Sequence, residues 1–201
     1  MKELSLWDWR RQVTTLYADV RQTPNPHAAW RHWRTTRDAL FRGHAESPIE
    51  RGTPFRALPY FDYDPALRHL VRLDPIAGGV EEVLPAGEDG DVRMRPFALT
   101  RGLYPTLGAE LTLYWLLGYG GGVFLPFTDA TSGDESYGGG RYLLDTIKGA
   151  DLGMVDGWAV LDFNFAYNPS CAYSPRYVCP LAPAMNRLPG QVGAGERFSA
   201  P

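Results

Sequence analysis

The 201-residue sequence holds little of what metal and redox chemistry usually needs. It has two cysteines, Cys171 and Cys179, and four histidines, His27, His32, His44 and His69, all within the first 69 residues. Two cysteines do not make a disulfide framework, and a zinc site would need a second pair or a nearby histidine. No local base stands beside Cys171 for nucleophilic catalysis. The Gly-x-Ser-x-Gly frame is missing around Ser132, so no nucleophile elbow is expected. No apolar run reaches the length of a membrane span. The opening MKELSLWDWRRQV has charges at both ends and no apolar centre, unlike a secretory signal. A cytoplasmic protein with reduced thiols is therefore expected. A basic excess is lacking too. The net charge of −3 supplies no uniform field for nucleic acid, so neither nucleic acid nor membrane is an expected partner.

The charge is uneven. Residues 1–56 carry ten Lys/Arg against six Asp/Glu, an excess of +4, and the remainder is −7. That pattern suits Arg-rich helix faces lying on a more acidic body.

At 44% hydrophobic and 21% charged, the chain can bury one core. Leu6, Trp9, Val13, Leu16, Tyr17 and Val20 recur at helical spacing, which predicts an amphipathic helix over 4–22. Thr23-Pro24-Asn25-Pro26 stops it, and Asn25 with Pro26 can start a second helix that runs to about Arg42, with Gly43 at its end. Four of the six tryptophans fall in these two helices. They could pack on the body or form a homo-oligomer surface, since aromatic and Arg residues are enriched at interfaces.

After a polar connection over 43–55, the texture changes from Arg56 on. Proline and glycine punctuate short apolar segments at 57–60, 67–73, 80–84, 92–99, 110–117, 123–127, 141–146 and 158–165, with turn signals between them, among them PAGEDGD at 85–91. The expected fold is mainly β, an antiparallel barrel or sandwich of seven to nine strands. The expected division is a helical hairpin over 1–43 and a β-rich domain over 44–201. The segments 141–146 and 158–165 are expected to pair, which would bring Arg141, Asp145, Asp162 and Asn164 to one face.

The chemistry-bearing residues gather between Phe127 and Leu188. Arg141 could anchor an anion, with Glu135, Asp129 or Asp162 as acid or base. Asn164, Asn168 and Tyr167 could orient a ligand, and Tyr137, Cys171 and Tyr173 could line an apolar pocket with polar groups at its rim. The equal alternative is that Arg141 ties loop carboxylates to the barrel. The cysteines read as a packed corner, a reactive thiol or, with least support, a metal ligand. The runs 118–122 and 138–140 lack the Lys-Ser/Thr of a phosphate loop and open no helix, so they are turns.

Three stretches carry a resemblance: YFDYDP at 60–65, FTDATSGDESYGGGRYLLD at 127–145, and LDFNFAYNPSCAYSPRYVCPLAP at 161–183 with Asn186-Arg187-Leu188 and Ala194-Gly195-Glu196. They resemble the bacterial and archaeal domain-of-unknown-function 1684 family over about residues 30–197. Against that family, this chain has only a short linker before YFDYDP and an added Trp-rich helix at 4–22. The resemblance implies a domain and a grouping of polar residues, and no reaction.

The expectation is thus a small-molecule site, able to do acid/base chemistry on a small anionic organic molecule. No motif decides between enzyme and binder. The alternative is a non-catalytic structural or partner-binding module whose polar motif locks the fold. No cofactor is expected. A flavin or a haem stays open as a barrel ligand, with no residue in the sequence to hold it.

Overall fold

The computed structural model describes residues 2–85 and 90–198. Helix α1 spans Lys2–Gln22 and α2 spans Pro26–Gly43. Asn25 caps α2 by accepting the Ala28 N–H at 2.9 Å, and Pro26 occupies the first turn, where a missing N–H costs nothing. Eight strands follow: β1 Arg68–Pro75, β2 Glu82–Pro85, β3 Asp91–Arg101, β4 Thr112–Leu116, β5 Gly122–Phe127, β6 Arg141–Asp145, β7 Met154–Val155 and β8 Trp158–Asp162. A one-turn helix, α3 (Tyr104–Leu107), lies between β3 and β4. The turn expected over 85–91 falls largely outside the described residues.

The strands form one antiparallel sheet in the order β6-β5-β4-β3-β1-β8-β7, with β2 on β3. It is a half-barrel. Its curl follows from two prolines inside strands. The register shifts between Pro96 and Ala98 on β3, and between Leu125 and Pro126 on β5. Proline cannot donate to a ladder, so it sits at a bulge, and a bulge bends its strand. The curl brings the chain just past β8 round to the far edge. There Tyr142 of β6 and Tyr167 exchange both backbone hydrogen bonds, at 2.8 and 3.1 Å.

The pairing expected between 141–146 and 158–165 does not form. β6 pairs with β5, and β8 pairs with β1 and β7. Strand β8 ends at Asp162, where a 3-10 turn over Phe163–Phe165 takes over, and Tyr167 alone bridges to β6. Residues 57–60 are not a strand; Tyr60 makes a single bridge to Glu196. Both differences have one cause. Apolar runs of this length mark burial, and the partner comes from topology that sequence periodicity does not carry.

Both faces of the sheet are covered. Leu113, Leu125, Leu143, Leu161 and Phe163 face one cluster, closed by Leu188, Val192 and Ala194 of the C-terminal segment. Tyr114, Phe124 and Tyr142 face the other, where Leu16, Tyr17, Val20, Trp30 and Trp33 of the two helices pack with Phe165. Successive residues such as Leu113 and Tyr114, Phe124 and Leu125, and Tyr142 and Leu143 thus point into different cores. This explains why these strands read as apolar throughout rather than alternating.

One side chain at the start of the C-terminal segment binds it to two strands. Asn186 donates from Nδ2 to the carbonyls of Thr112 and Pro126 and accepts the Thr112 N–H, each at 2.8 Å. The Pro126 carbonyl is at the β5 bulge, where the ladder is interrupted.

The four helical tryptophans divide sharply. Trp33 is completely buried and Trp30 nearly so, whereas Trp7 is 59% exposed. Trp33→Ala is expected to lower the unfolding free energy by about 3–5 kcal/mol, the usual cost of emptying a buried indole site. Trp7→Ala should stay within about 0.5 kcal/mol of wild type. Urea unfolding followed by fluorescence and circular dichroism measures both.

Candidate functional site

The sequence DATSG folds into a compact loop between β5 and β6. The Thr131 carbonyl accepts the amides of Asp134, Glu135 and Ser136 at 3.0–3.2 Å. This loop turns Asp129 inward. Its carboxylate accepts the Thr131 hydroxyl at 2.9 and 3.0 Å, the Ser132 hydroxyl at 3.1 Å and the Val192 N–H at 2.6 Å. The Arg141 guanidinium reaches the same carboxylate at 3.3 Å.

Arg141 opens β6 and is fully buried. Its two terminal nitrogens donate to the backbone carbonyls of Val192 (2.9 Å), Ala194 and Glu196 (3.3 Å) as well as to Asp129. The rings of Phe127 and Phe61 lie 5.2 and 5.8 Å from the guanidinium carbon. Burial presses the Arg141 pKa down, and the Asp129 charge opposes it. Gly140 precedes Arg141 at φ +91°, and a Cβ there would lie 2.6 Å from the Phe127 carbonyl oxygen, so the approach to β6 requires glycine.

A second cluster centres on Glu196, which is buried and had no place among the expected site residues. Its carboxylate accepts Arg37 of α2 at 2.7 Å, the Asn168 N–H at 3.1 Å and the Tyr173 hydroxyl. Arg37 also donates to the Tyr60 hydroxyl at 3.2 Å. Burial pushes the Glu196 pKa up, while Arg37, Tyr173 and the Asn168 N–H hold it back. Asn168 donates to the Arg197 carbonyl at 2.9 Å. Tyr167 is buried with Arg37 over its ring at 5.1 Å. The sequence signals for Glu196 are an acid within a run of small residues and its place in the Ala194-Gly195-Glu196 stretch that carries the family resemblance. Gly195 precedes it at φ +75°, packed so closely on the Ala166 and Phe163 carbonyls that a Cβ would lie 2.6–2.7 Å from them.

A third cluster is separate from both. Asp162 ends β8 opposite Arg68 of β1, with the Arg68 side chain 3.8 Å away. Its Oδ1 accepts the backbone and side-chain N–H groups of Asn164 at 3.0 and 2.8 Å. Asn164 clamps both backbone groups of Asp64 at 2.7–2.8 Å, tying YFDYDP to the turn after β8. Asp145 pairs with Lys148 at 2.8 Å. The single face expected to hold Arg141, Asp145, Asp162 and Asn164 is therefore three or more local networks.

Glu135 is half-buried, with its carboxylate in a partly exposed pair with Arg197 at 3.1 Å. Tyr137 donates its hydroxyl to the Cys171 sulfur at 3.6 Å, and the Cys171 N–H donates to the Cys179 sulfur at 3.3 Å. Both cysteines are free and half-buried.

Two surface clefts are formed elsewhere. One, of about 340 Å³, is lined by His44, Ser47, Glu50, Arg51 and Arg176 among others; the second lies between α1 and α2. None of the expected site residues lines either. Among the described residues no group of three or more His, Cys, Asp or Glu could hold a metal, and no helix is long and apolar enough to cross a membrane.

Asp162 makes a pH signature. Burial raises its pKa from 3.8 to about 6, against the pull of Asn164 and Arg68. A raised carboxyl stabilises the fold most below its unfolded pKa, and that contribution is lost as pH rises through about 6. Asp162→Asn keeps the Oδ1 acceptor without the charge. The stability of D162N relative to wild type should rise between pH 4 and pH 7 by up to about 3 kcal/mol, at 1.36 kcal/mol per unit. Denaturant midpoints of both proteins across that range give the difference.

A family model described as "Protein of unknown function (DUF1684)" matches residues 53–197. The solution NMR structure of an uncharacterized protein from Haloarcula marismortui is similar, at 34% identity over 82% of this chain and 89% of that one, with a TM-score of 0.56. No curated protein matches the chain.

Proposed function

We propose a function for this chain from one premise: it belongs to the DUF1684 family of proteins of unknown function. Membership brings a half-barrel and no reaction, so function has to be read from the polar groups. The reading they support best is a non-catalytic module whose polar motif is the lock of the fold. One observation carries it. The buried Asp129–Arg141 pair meets six protein partners: two hydroxyls and an N–H on the carboxylate, and three carbonyls on the guanidinium.

A general base needs a lone pair that can reach a substrate proton. Asp129 turns its oxygens to Thr131, Ser132, Val192 and Arg141, whereas Asp162 turns Oδ1 to Asn164 and keeps a buried Oδ2 without a hydrogen-bond partner, 3.8 Å from Arg68. An anion anchor needs free donors, whereas the terminal nitrogens of Arg141 already bind main-chain oxygens. The acid/base reading on a small anionic molecule is left with Glu135, whose carboxylate lies beside Arg197, and with the buried Oδ2 of Asp162, which neither of the two clefts reaches. Self-association through the helices would rest on Leu4 and Trp7, since Trp30 and Trp33 already serve the core.

Arg141→Met keeps much of the volume and removes the donors. It leaves Asp129 charged and buried, and the expected loss is about 3–5 kcal/mol of stability. Glu135→Gln breaks only an exposed pair and should change stability by less than about 1 kcal/mol. Thermal unfolding of both variants tests the lock. A loss below about 1 kcal/mol for R141M would count against it. So would a small organic anion that raises the wild-type melting temperature and fails to raise that of E135Q.

A further inference from the structure

The lock leaves one set of reactive side chains unabsorbed: Tyr137, Cys171 and Cys179. Cys171 lies in the 3-10 turn Ser170–Ala172, and seven residues separate it from Cys179. The segment between them has no strand or longer helix, and Val178 and Leu181 at its far end are exposed. The Cys179 sulfur sits 3.3 Å from the Cys171 nitrogen, and the Tyr137 hydroxyl sits 3.6 Å from the Cys171 sulfur. Two free, half-buried thiols are thus side by side at the surface, and one of them is met by a phenol donor.

We propose that Cys171 and Cys179 form a thiol–disulfide exchange site for low-molecular-weight disulfides, with Cys171 as attacking thiol, Cys179 as resolving thiol and Tyr137 as positioning residue. The Cys171 thiolate attacks one sulfur of the small disulfide. An S–S bond forms between Cys171 and that half, and the other half leaves as a thiolate. Cys179 then attacks the Cys171 sulfur and expels the second half, its proton passing to a departing thiolate. Two protein thiols are oxidised to one Cys171–Cys179 disulfide, and one small disulfide is reduced to two small thiols.

The phenol donor on the Cys171 sulfur, at 3.6 Å, marks Cys171 as the attacking thiol. The neighbouring Cys179 thiol and then Tyr137 pull the Cys171 pKa down to about 6 despite burial. The neighbouring Cys171 thiol and burial push Cys179 up, against the Cys171 N–H that donates to its sulfur at 3.3 Å and the more distant Lys148 charge. Tyr137 is itself raised to about 12, by burial first and by Cys171 next, so it stays a donor. One proton is shared by two sulfurs. While Cys171 is a thiolate, Cys179 keeps its proton. Once Cys171 is capped, that charge is gone and Cys179 is released to attack. The Tyr142 hydroxyl, which donates to the Pro180 carbonyl at 2.6 Å, holds the chain beside Cys179 to the sheet.

Oxidised glutathione and intact-mass spectrometry on the full chain test the proposal. Wild type is expected to end two hydrogens lighter, with no adduct. Cys179→Ser should stop at one glutathionyl group on Cys171, and Cys171→Ser should react about tenfold more slowly at pH 7. Alkylation of Cys171 by iodoacetamide should follow a thiolate with a midpoint near pH 6, and Tyr137→Phe should move that midpoint upward. Three results would overturn the proposal: wild type carrying glutathione on both cysteines, C171S reacting as fast as wild type, or an alkylation midpoint in the ordinary thiol range near 8.5.

Discussion

The structure depends on one buried charge. Arg141 at the start of β6 holds the carbonyls of Val192, Ala194 and Glu196 and the carboxylate of Asp129. Three segments distant in sequence meet on this guanidinium: the DATSG loop, the edge of the sheet and the C-terminal segment. Desolvating a charge is costly, and here the partners of the two terminal nitrogens offset it, while Arg141 Nε is buried without one. Losing any of these partners leaves the charge less compensated in the core. Unless the segment at 192–196 is in place, Arg141 cannot stay in the core.

The helices depend on that clasp in turn. With residues 192–196 fixed, Glu196 lies beneath α2, where it takes Arg37 and the amide of Asn168. The helices are then joined to the half-barrel by more than apolar contact, though contact dominates. Trp30, Trp33, Leu16 and Tyr17 cover the face that Tyr114, Phe124 and Tyr142 present. Without that cover the face would be a large exposed apolar patch. A polar clasp on one side and an aromatic cover on the other hold a sheet that does not close on itself by strand pairing alone.

The polar residues of the C-terminal third show how composition can suggest chemistry that geometry distributes elsewhere. Asp, Glu, Arg, Asn and Tyr close together in sequence are what a catalytic site needs. They are also what irregular chain needs when it is buried, since its peptide groups have no ladder to join. Asn164 on Asp64, Asn186 on Thr112 and Pro126, and Asn168 on Arg197 all do that second task. The thiol pair differs because its sulfurs meet a phenol and the neighbouring Cys171 amide, and hold no peptide groups of remote segments together.

Much of the architecture was legible in the sequence, and each time for a physical reason. The helices follow from the spacing of Leu6 to Val20 and from the Asn25-Pro26 start. Seven of the eight apolar segments beyond residue 56 became strands, because turn residues bound them and burial requires apolar side chains. The two-residue strand β7 and the half-barrel's open edge were not legible. Nor was the separation of Arg141 from Asp162, although both were expected as site residues. Sequence by itself determined which residues leave water, where the chain must turn, and which side chains are able to hydrogen-bond. Only the tertiary structure decided who meets whom. Register, the bulges at Pro96 and Pro126, and the return of residues 186–196 to the sheet are contacts between segments tens of residues apart, and local pattern carries no record of them.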